Sequence, residues 1–262
     1  MKKNLIGFFA LFLLVTTCLC TFSVFAKDTS GVINWYCIRN KNHKQPVLDS
    51  TLKIADEYGA IGFDSSHGDK DQERVVYLTF DAGYENGNVE KILDIMKRQD
   101  VRGAFFVLGN LITRNTNLVN RMFREGHLVC NHTYSHKSMV NICSEDFAKE
   151  IKKLEDVCKE YTGKELSKYY RPPEGKFDAA SLGYANELGY RTVFWSIAYA
   201  DWDNGKQMNE SAAKDKIMSN IHNGAIILLH PTSETNARIL EDVIIDLKNM
   251  GYRFGSLDEI PK

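Results

Sequence analysis

The chain has no surplus of charge: 33 Lys and Arg against 34 Asp and Glu leave a formal net charge of −1 over 262 residues. Gripping a phosphate backbone takes an excess of cations, so nucleic acid is not an expected partner, and nothing draws the chain to a membrane through charge. None of the six cysteines forms a C-x-x-C pair, which removes zinc ribbons and thioredoxin-like motifs. Cys18 and Cys20 belong to an N-terminal apolar stretch. Cys37, Cys130, Cys143 and Cys158 read as buried free thiols, because a chain this long holds its core without disulfide staples. There is no H-E-x-x-H helix, so zinc-protease chemistry is not indicated. Internal repeats and low-complexity linkers are also missing.

What the sequence does have begins at its start. Lys2-Lys3 precede an apolar run from Leu5 to Val15, and the stretch closes on Val24-Phe25-Ala26. This is the layout of a secretory signal peptide over residues 1–26, and it predicts export with cleavage after Ala26. The run is interrupted at Thr16, Thr17 and Cys18 and is shorter than the roughly 20 apolar residues of a membrane span; an uncleaved anchor is the alternative. Residues 27–73 are polar and turn-rich behind Trp35 and Tyr36, and are expected to form an N-terminal extension packed on the main domain, residues 74–262.

From Val75 onward, short β-rich apolar runs alternate with amphipathic stretches. The expected strands are Val75 to Phe80, Gly103 to Leu108, His127 to Cys130, Lys168 to Tyr170, Thr192 to Ile197, Ala225 to Leu229 and Tyr252 to Phe254. Between them, Val89, Ile92, Leu93 and Met96 share one helical face, and Phe147, Ile151, Leu154, Cys158 and Tyr161 share another. Such alternation implies an α/β fold with a parallel sheet, and seven units point to an open or distorted (β/α) barrel.

Polar groups recur where these strands end. Asp81 follows Phe80, His132 follows the run to Cys130, Arg171 follows Tyr170, Asp201 lies four residues past Ile197, and His230 caps Leu229. In a parallel barrel the carboxyl ends of all strands open on one face, so these residues would converge there. Each has a commoner role when alone: a turn cap for Asp81, a satisfied core histidine for His230, a structural ion pair for Arg171. Together they suggest hydrolysis. His132 and His136, four apart, can share one cation, with the hydroxyls of Thr133 and Ser135 nearby. Asp81 beside that cation is a candidate general base, and His230 a general acid for a departing amine. Arg171, stiffened by Pro172 and Pro173, is expected to fork onto Asp81 and keep it ionised.

Thr79-Phe80-Asp81, His132-x-x-x-His136, Arg171-Pro-Pro-x-Gly175, Asp201-Trp202 and Leu228-Leu229-His230 occur in the order and approximate spacing of the polysaccharide deacetylases, carbohydrate esterase family four. The match runs from about Val75 to Leu257, and the chain is similar to the delta-lactam-forming deacetylases of spore cortex peptidoglycan through Asp81-x-Gly-Tyr-Glu-Asn-Gly87, Trp195-Ser196, the Trp35 segment and Leu229-His-x-x-Ser-x-x-Asn236.

This resemblance implies a NodB-homology, TIM-like distorted barrel acting on peptidoglycan glycan strands outside the cytoplasm. It implies Asp81 as base, His230 as acid with its pKa raised by Asp201, and Arg171 positioning Asp81. His132 and His136 would hold a divalent metal ion, zinc by preference. Trp202 and Leu228 would line the acetyl pocket, and the Glu174 backbone N–H would help hold the oxyanion, a kind of donor whose loss costs roughly 3 kcal/mol. Most of the family carries a second aspartate as metal ligand where this chain has Ala82, so the ion is expected to be weakly held. Two further readings follow: a deacetylase of N-acetylglucosamine in peptidoglycan or chitin-type polymers, and a carbohydrate-binding pseudoenzyme suggested by Ala82.

Overall fold

The computed structural model describes residues 31–39 and 42–262; the expected signal peptide, residues 1–26, lies outside them. The described strands are β1 (Ile33–Asn34), β2 (Arg74–Ala82), β3 (Ala104–Val107), β4 (Leu128–Asn131), β5 (Ser167–Tyr170), β6 (Lys176–Phe177), β7 (Arg191–Thr192), β8 (Ala225–Leu229) and β9 (Tyr252–Phe254). The helices are α1 (Lys53–Glu57), α2 (Val89–Arg98), α3 (Gly109–Arg114), α4 (Thr116–Arg124), α5 (Ser144–Thr162), α6 (Ala179–Glu187), α7 (Glu210–Met218) and α8 (Glu234–Asn249).

Seven strands form one sheet in the order β7-β5-β4-β3-β2-β8, with β9 also paired to β2, and every pairing is parallel. This is the expected α/β architecture, a parallel sheet curled into a half-barrel. β2 is an interior strand, flanked by β3 and β8; Val76, Leu78, Phe80 and Ala82 face the helical layer while Val75 and Tyr77 face the barrel interior, so both sides of the strand are buried. α2 buries Val89, Ile92, Leu93 and Met96, the predicted face. α5 buries Phe147, Ile151, Leu154 and Cys158, whereas Tyr161, expected on that face, is exposed at the helix end.

The predicted strand from Thr192 to Ile197 is a strand only at its start. Beyond β7 the chain bends, pairing Val193 with Ile61 and Ile197 with Ile227. Residues 193–197 thereby lean from the β7 edge toward β8, and the N-terminal segment fills the remaining seam: Ile61 N–H donates to Thr192 O, Phe194 N–H to Ile61 O, and Asp64 N–H to Gly224 O. Trp35 locks this segment down by stacking on Phe194 with ring centres 4.2 Å apart and donating from Nε1 to Trp195 O at 2.7 Å. Of the cysteines, Cys130 and Cys158 are buried free thiols as expected, but Cys37 is half-buried and Cys143 exposed.

Candidate active site

The carboxyl ends of the strands open on a cavity of about 700 Å³ whose walls include Asp81, His132, His136, Glu174, Trp202 and His230, with Leu228 below them. Arg171 and Asp201 stand behind this wall, each holding one of the lining groups. The nine predicted residues are therefore gathered in one place.

Asp81 is the penultimate residue of β2 and nearly buried. Arg171, fully buried just past β5, reaches it with Nη1 at 2.8 Å. The expected two-pronged fork does not form. Nη2 instead donates to Thr79 Oγ1 at 2.9 Å and Phe194 O at 3.0 Å, and Nε to Val193 O at 3.0 Å. The guanidinium also lies over the Phe106 ring, 4.1 Å from its centre. A cation with no access to water is thus satisfied by four oxygens, only one of them the carboxylate. Burial opposes the charge on Asp81, but the surrounding His132, Arg171 and His230 outweigh it and hold the carboxyl below its usual range.

His132 follows β4 and is buried; its Nδ1 donates to Arg171 O at 2.8 Å. A carbonyl can only accept, so the proton is fixed on Nδ1 and the Nε2 lone pair faces the cavity, 3.5 Å from Asp81 Oδ2. Burial pushes this imidazole down to about 4, so it is neutral near pH 7. Thr133 and His136 both adopt positive φ, 71° and 59°, because the chain reverses here: Asn131 Oδ1 accepts from Thr133 N–H, and Thr133 Oγ1 accepts from His136 N–H. The reversal brings the two imidazoles together edge to face, ring centres 5.0 Å apart. Ser135, expected nearby, turns away to Glu150.

His230 follows β8. Asp201, fully buried, accepts from His230 Nδ1 at 2.7 Å and from its main-chain N–H at 2.8 Å. Burial lowers the imidazole pKa, but the hydrogen bond and charge of Asp201, joined by Asp81, overcome this and raise it above the ordinary histidine value. Trp202 sets its ring edge to face against His230 at 6.2 Å and is 62% exposed, while Leu228 is buried at 4%. Glu174 takes φ 58° in the turn after Pro172 and Pro173, and its carboxylate pairs with Lys176. Gly175 beside it also has positive φ, and a Cβ there would come within 2.7 Å of the Trp195 ring, so glycine is required for the turn to reach the cavity wall.

The residues present fit a divalent ion held mostly by two imidazoles. Their ring centres lie 5.0 Å apart at the cavity, and imidazole nitrogen is a donor type that suits such an ion. Among the described residues no group of three His, Cys, Asp or Glu is placed to hold a metal, and Ala82, the position of the missing aspartate, is fully buried in the apolar layer.

Sequence reasoning gave no role to four participants, three of which, Thr79, Tyr84 and Asn236, it had quoted only as members of motifs. Thr79 Oγ1 takes part of the Arg171 charge, Tyr84 and Tyr199 line the cavity, and Asn236 binds Asp201 Oδ2 at 2.6 Å. The available signals were positional: Thr79 lies two residues before Asp81 on the same face of β2, and Asn236 lies three past Ser233, a helix cap.

The fold and this cavity define a hydrolase site, and comparison with known proteins agrees: residues 68–193 match the polysaccharide deacetylase family. The chain is 38% identical to the peptidoglycan-N-acetylmuramic acid deacetylase PdaA of Bacillus subtilis, over 87% of this chain and 85% of that protein. It superposes on the PdaA structure, a family 4 carbohydrate esterase, with a TM-score of 0.83 at 36% identity, covering 89% of this chain and 98% of that one. A peptidoglycan-N-acetylglucosamine deacetylase of Bacillus cereus is 32% identical over 70% of this chain and 66% of its own length. The chain belongs to the polysaccharide deacetylases, carbohydrate esterase family 4, hydrolases that cleave an N-acetyl amide.

Proposed function

We propose that this protein removes the acetyl group from N-acetylmuramic acid in peptidoglycan outside the cytoplasm, freeing an amine that closes onto the lactyl carboxyl as the delta-lactam of spore cortex. The observation that carries the chemistry is the opposite displacement of two groups lining one cavity: Asp81 is held below the usual carboxylate range and His230 above the usual histidine range. Asp81 is an ionised base at neutral pH, and His230 keeps its proton to a higher pH than an ordinary histidine, the division of labour amide hydrolysis requires. Asp81 takes a proton from the attacking water, the C–N bond breaks, and His230 delivers a proton to the departing amine, leaving acetate and a free amino sugar.

Arg171 holds one Asp81 oxygen, so the other stays directed at the cavity. His132 and His136 would hold a divalent ion, zinc by preference, with water or substrate completing its shell; when bound, it supplies positive charge that polarises the acetyl carbonyl and makes water easier to deprotonate. The Glu174 N–H would face the developing oxyanion, and Trp202 with Leu228 would enclose the methyl group. The similarity to PdaA supports muramic acid as the sugar. Export through residues 1–26 is part of the same proposal, and no helix among the described residues is long and apolar enough to cross a membrane.

The N-acetylglucosamine reading is kept in view by the Bacillus cereus relative. Mass spectrometry of glycan strands, stripped of stem peptides and treated with the purified protein, separates the two. Loss of acetyl from muramic acid is expected; loss confined to glucosamine would replace the substrate assignment.

A further inference from the structure

Asp201 and His230 form a pair whose geometry is set by a third residue. Asn236 occupies the first turn of α8, its N–H donating to the capping Ser233 Oγ at 3.1 Å, and it has no exposed surface. Its Nδ2 spends its hydrogens on Asp201 Oδ2 at 2.6 Å and His230 O at 3.1 Å. Its Oδ1 accepts from the hydroxyl of Tyr199, a residue of the cavity wall. A flipped amide would set its oxygen against both the Asp201 carboxylate and the His230 carbonyl. The Tyr199 hydroxyl therefore fixes the amide, and the amide fixes the carboxylate.

We infer that Asn236, oriented by Tyr199, is a positioning residue for His230, turning Asp201 so that Oδ1 meets the imidazole Nδ1 while tying down the main chain at the end of β8. The inference rests on His230 being the general acid. Without Asn236, Asp201 keeps only its two hydrogen bonds from His230 itself, and no third residue holds the carboxylate in place. Its alignment is lost, because both remaining bonds come from the residue it has to orient. The charged groups acting on His230 are Asp201 beside it and Asp81 across the cavity, both favouring the imidazolium, and Arg171, which opposes it. Loosening Asp201 lowers the pH at which the acid loses its proton.

The test is acetate release from peptide-free glycan strands with Zn²⁺ present, measured across pH for the wild type, Asn236→Ala, Tyr199→Phe and His230→Gln. A general acid gives a basic limb, activity falling as pH rises through its pKa. Asn236→Ala is expected to move that limb down by about one pH unit and lower kcat about tenfold, with KM changed by less than about twofold. Tyr199→Phe, which removes a single hydroxyl and serves if Asn236→Ala fails to fold, should shift it in the same direction by less. A basic limb that stays in place in both folded variants overturns the inference. A limb that persists in His230→Gln overturns the general-acid reading itself, and this inference with it; a limb that vanishes there but is unmoved in Asn236→Ala and Tyr199→Phe overturns the positioning role alone.

Discussion

Arg171 is a cation with no exposed surface, and its value lies in geometry as much as in charge. One guanidinium serves Asp81, Thr79, Val193 and Phe194 at once, and the ammonium of a lysine is a point with three donors on a differently shaped stem. Arg171→Lys is expected to cost about 3 kcal/mol in stability, the scale for breaking a buried ion pair, and to lower kcat; urea unfolding and acetate release check both. A variant as stable and active as wild type would remove the positioning role. Asp81→Asn is expected to lower turnover about 100-fold or more while glycan binding survives, read as acetate release beside a pull-down on the insoluble polymer. Much of this residue-level detail was legible, because the motifs sit at strand ends and a parallel barrel gathers strand ends. The single-pronged contact of Arg171 was not, since which oxygens surround a buried guanidinium depends on the backbone of residues 193–194, distant in sequence.

At the scale of elements, the expected seven strands are all present, and the segment predicted as a strand through Ile197 departs from expectation after Thr192. Alternation of apolar residues cannot distinguish a strand from an irregular seam whose partners come from elsewhere: Val193 pairs with Ile61 and Ile197 with Ile227. The seam is sealed by the N-terminal segment, whose Trp35 packs on Phe194 and contacts the chain behind Gly175. Trp35→Ala is therefore expected to destabilise the fold by about 3–5 kcal/mol, the range for a buried aromatic, and to depress activity because the turn carrying Glu174 loses its backing. Thermal unfolding and kcat/KM measured together test this. A stability loss with full activity in the remaining folded protein would separate the extension from the site.

For the whole molecule, the buried histidines make an acid-labile fold. Burial pushes His127 and His132 down to about 4, while in the unfolded chain each takes up its proton near pH 6.5. Between those values the unfolded state binds more protons, so stability falls as pH falls from about 6.5 to 4. His230 has the opposite sign, its contribution present at low pH and lost as pH rises through its elevated folded pKa. His127, whose Nε2 has no hydrogen-bond partner among the described residues, isolates the effect away from the cavity: in His127→Leu the decline in denaturant midpoint over this window should be shallower than in wild type. An equal slope would locate the acid sensitivity elsewhere.

The most direct measurement is acetate released from peptide-free peptidoglycan strands by the purified protein, with added Zn²⁺ and with a chelator in its place, beside Asp81→Asn under both conditions. The account predicts release from muramic acid by the metal-supplied wild type, suppression by the chelator, and near-background release by the variant. Binding of the strands without acetate release by the wild type, or release undiminished in Asp81→Asn, would contradict it.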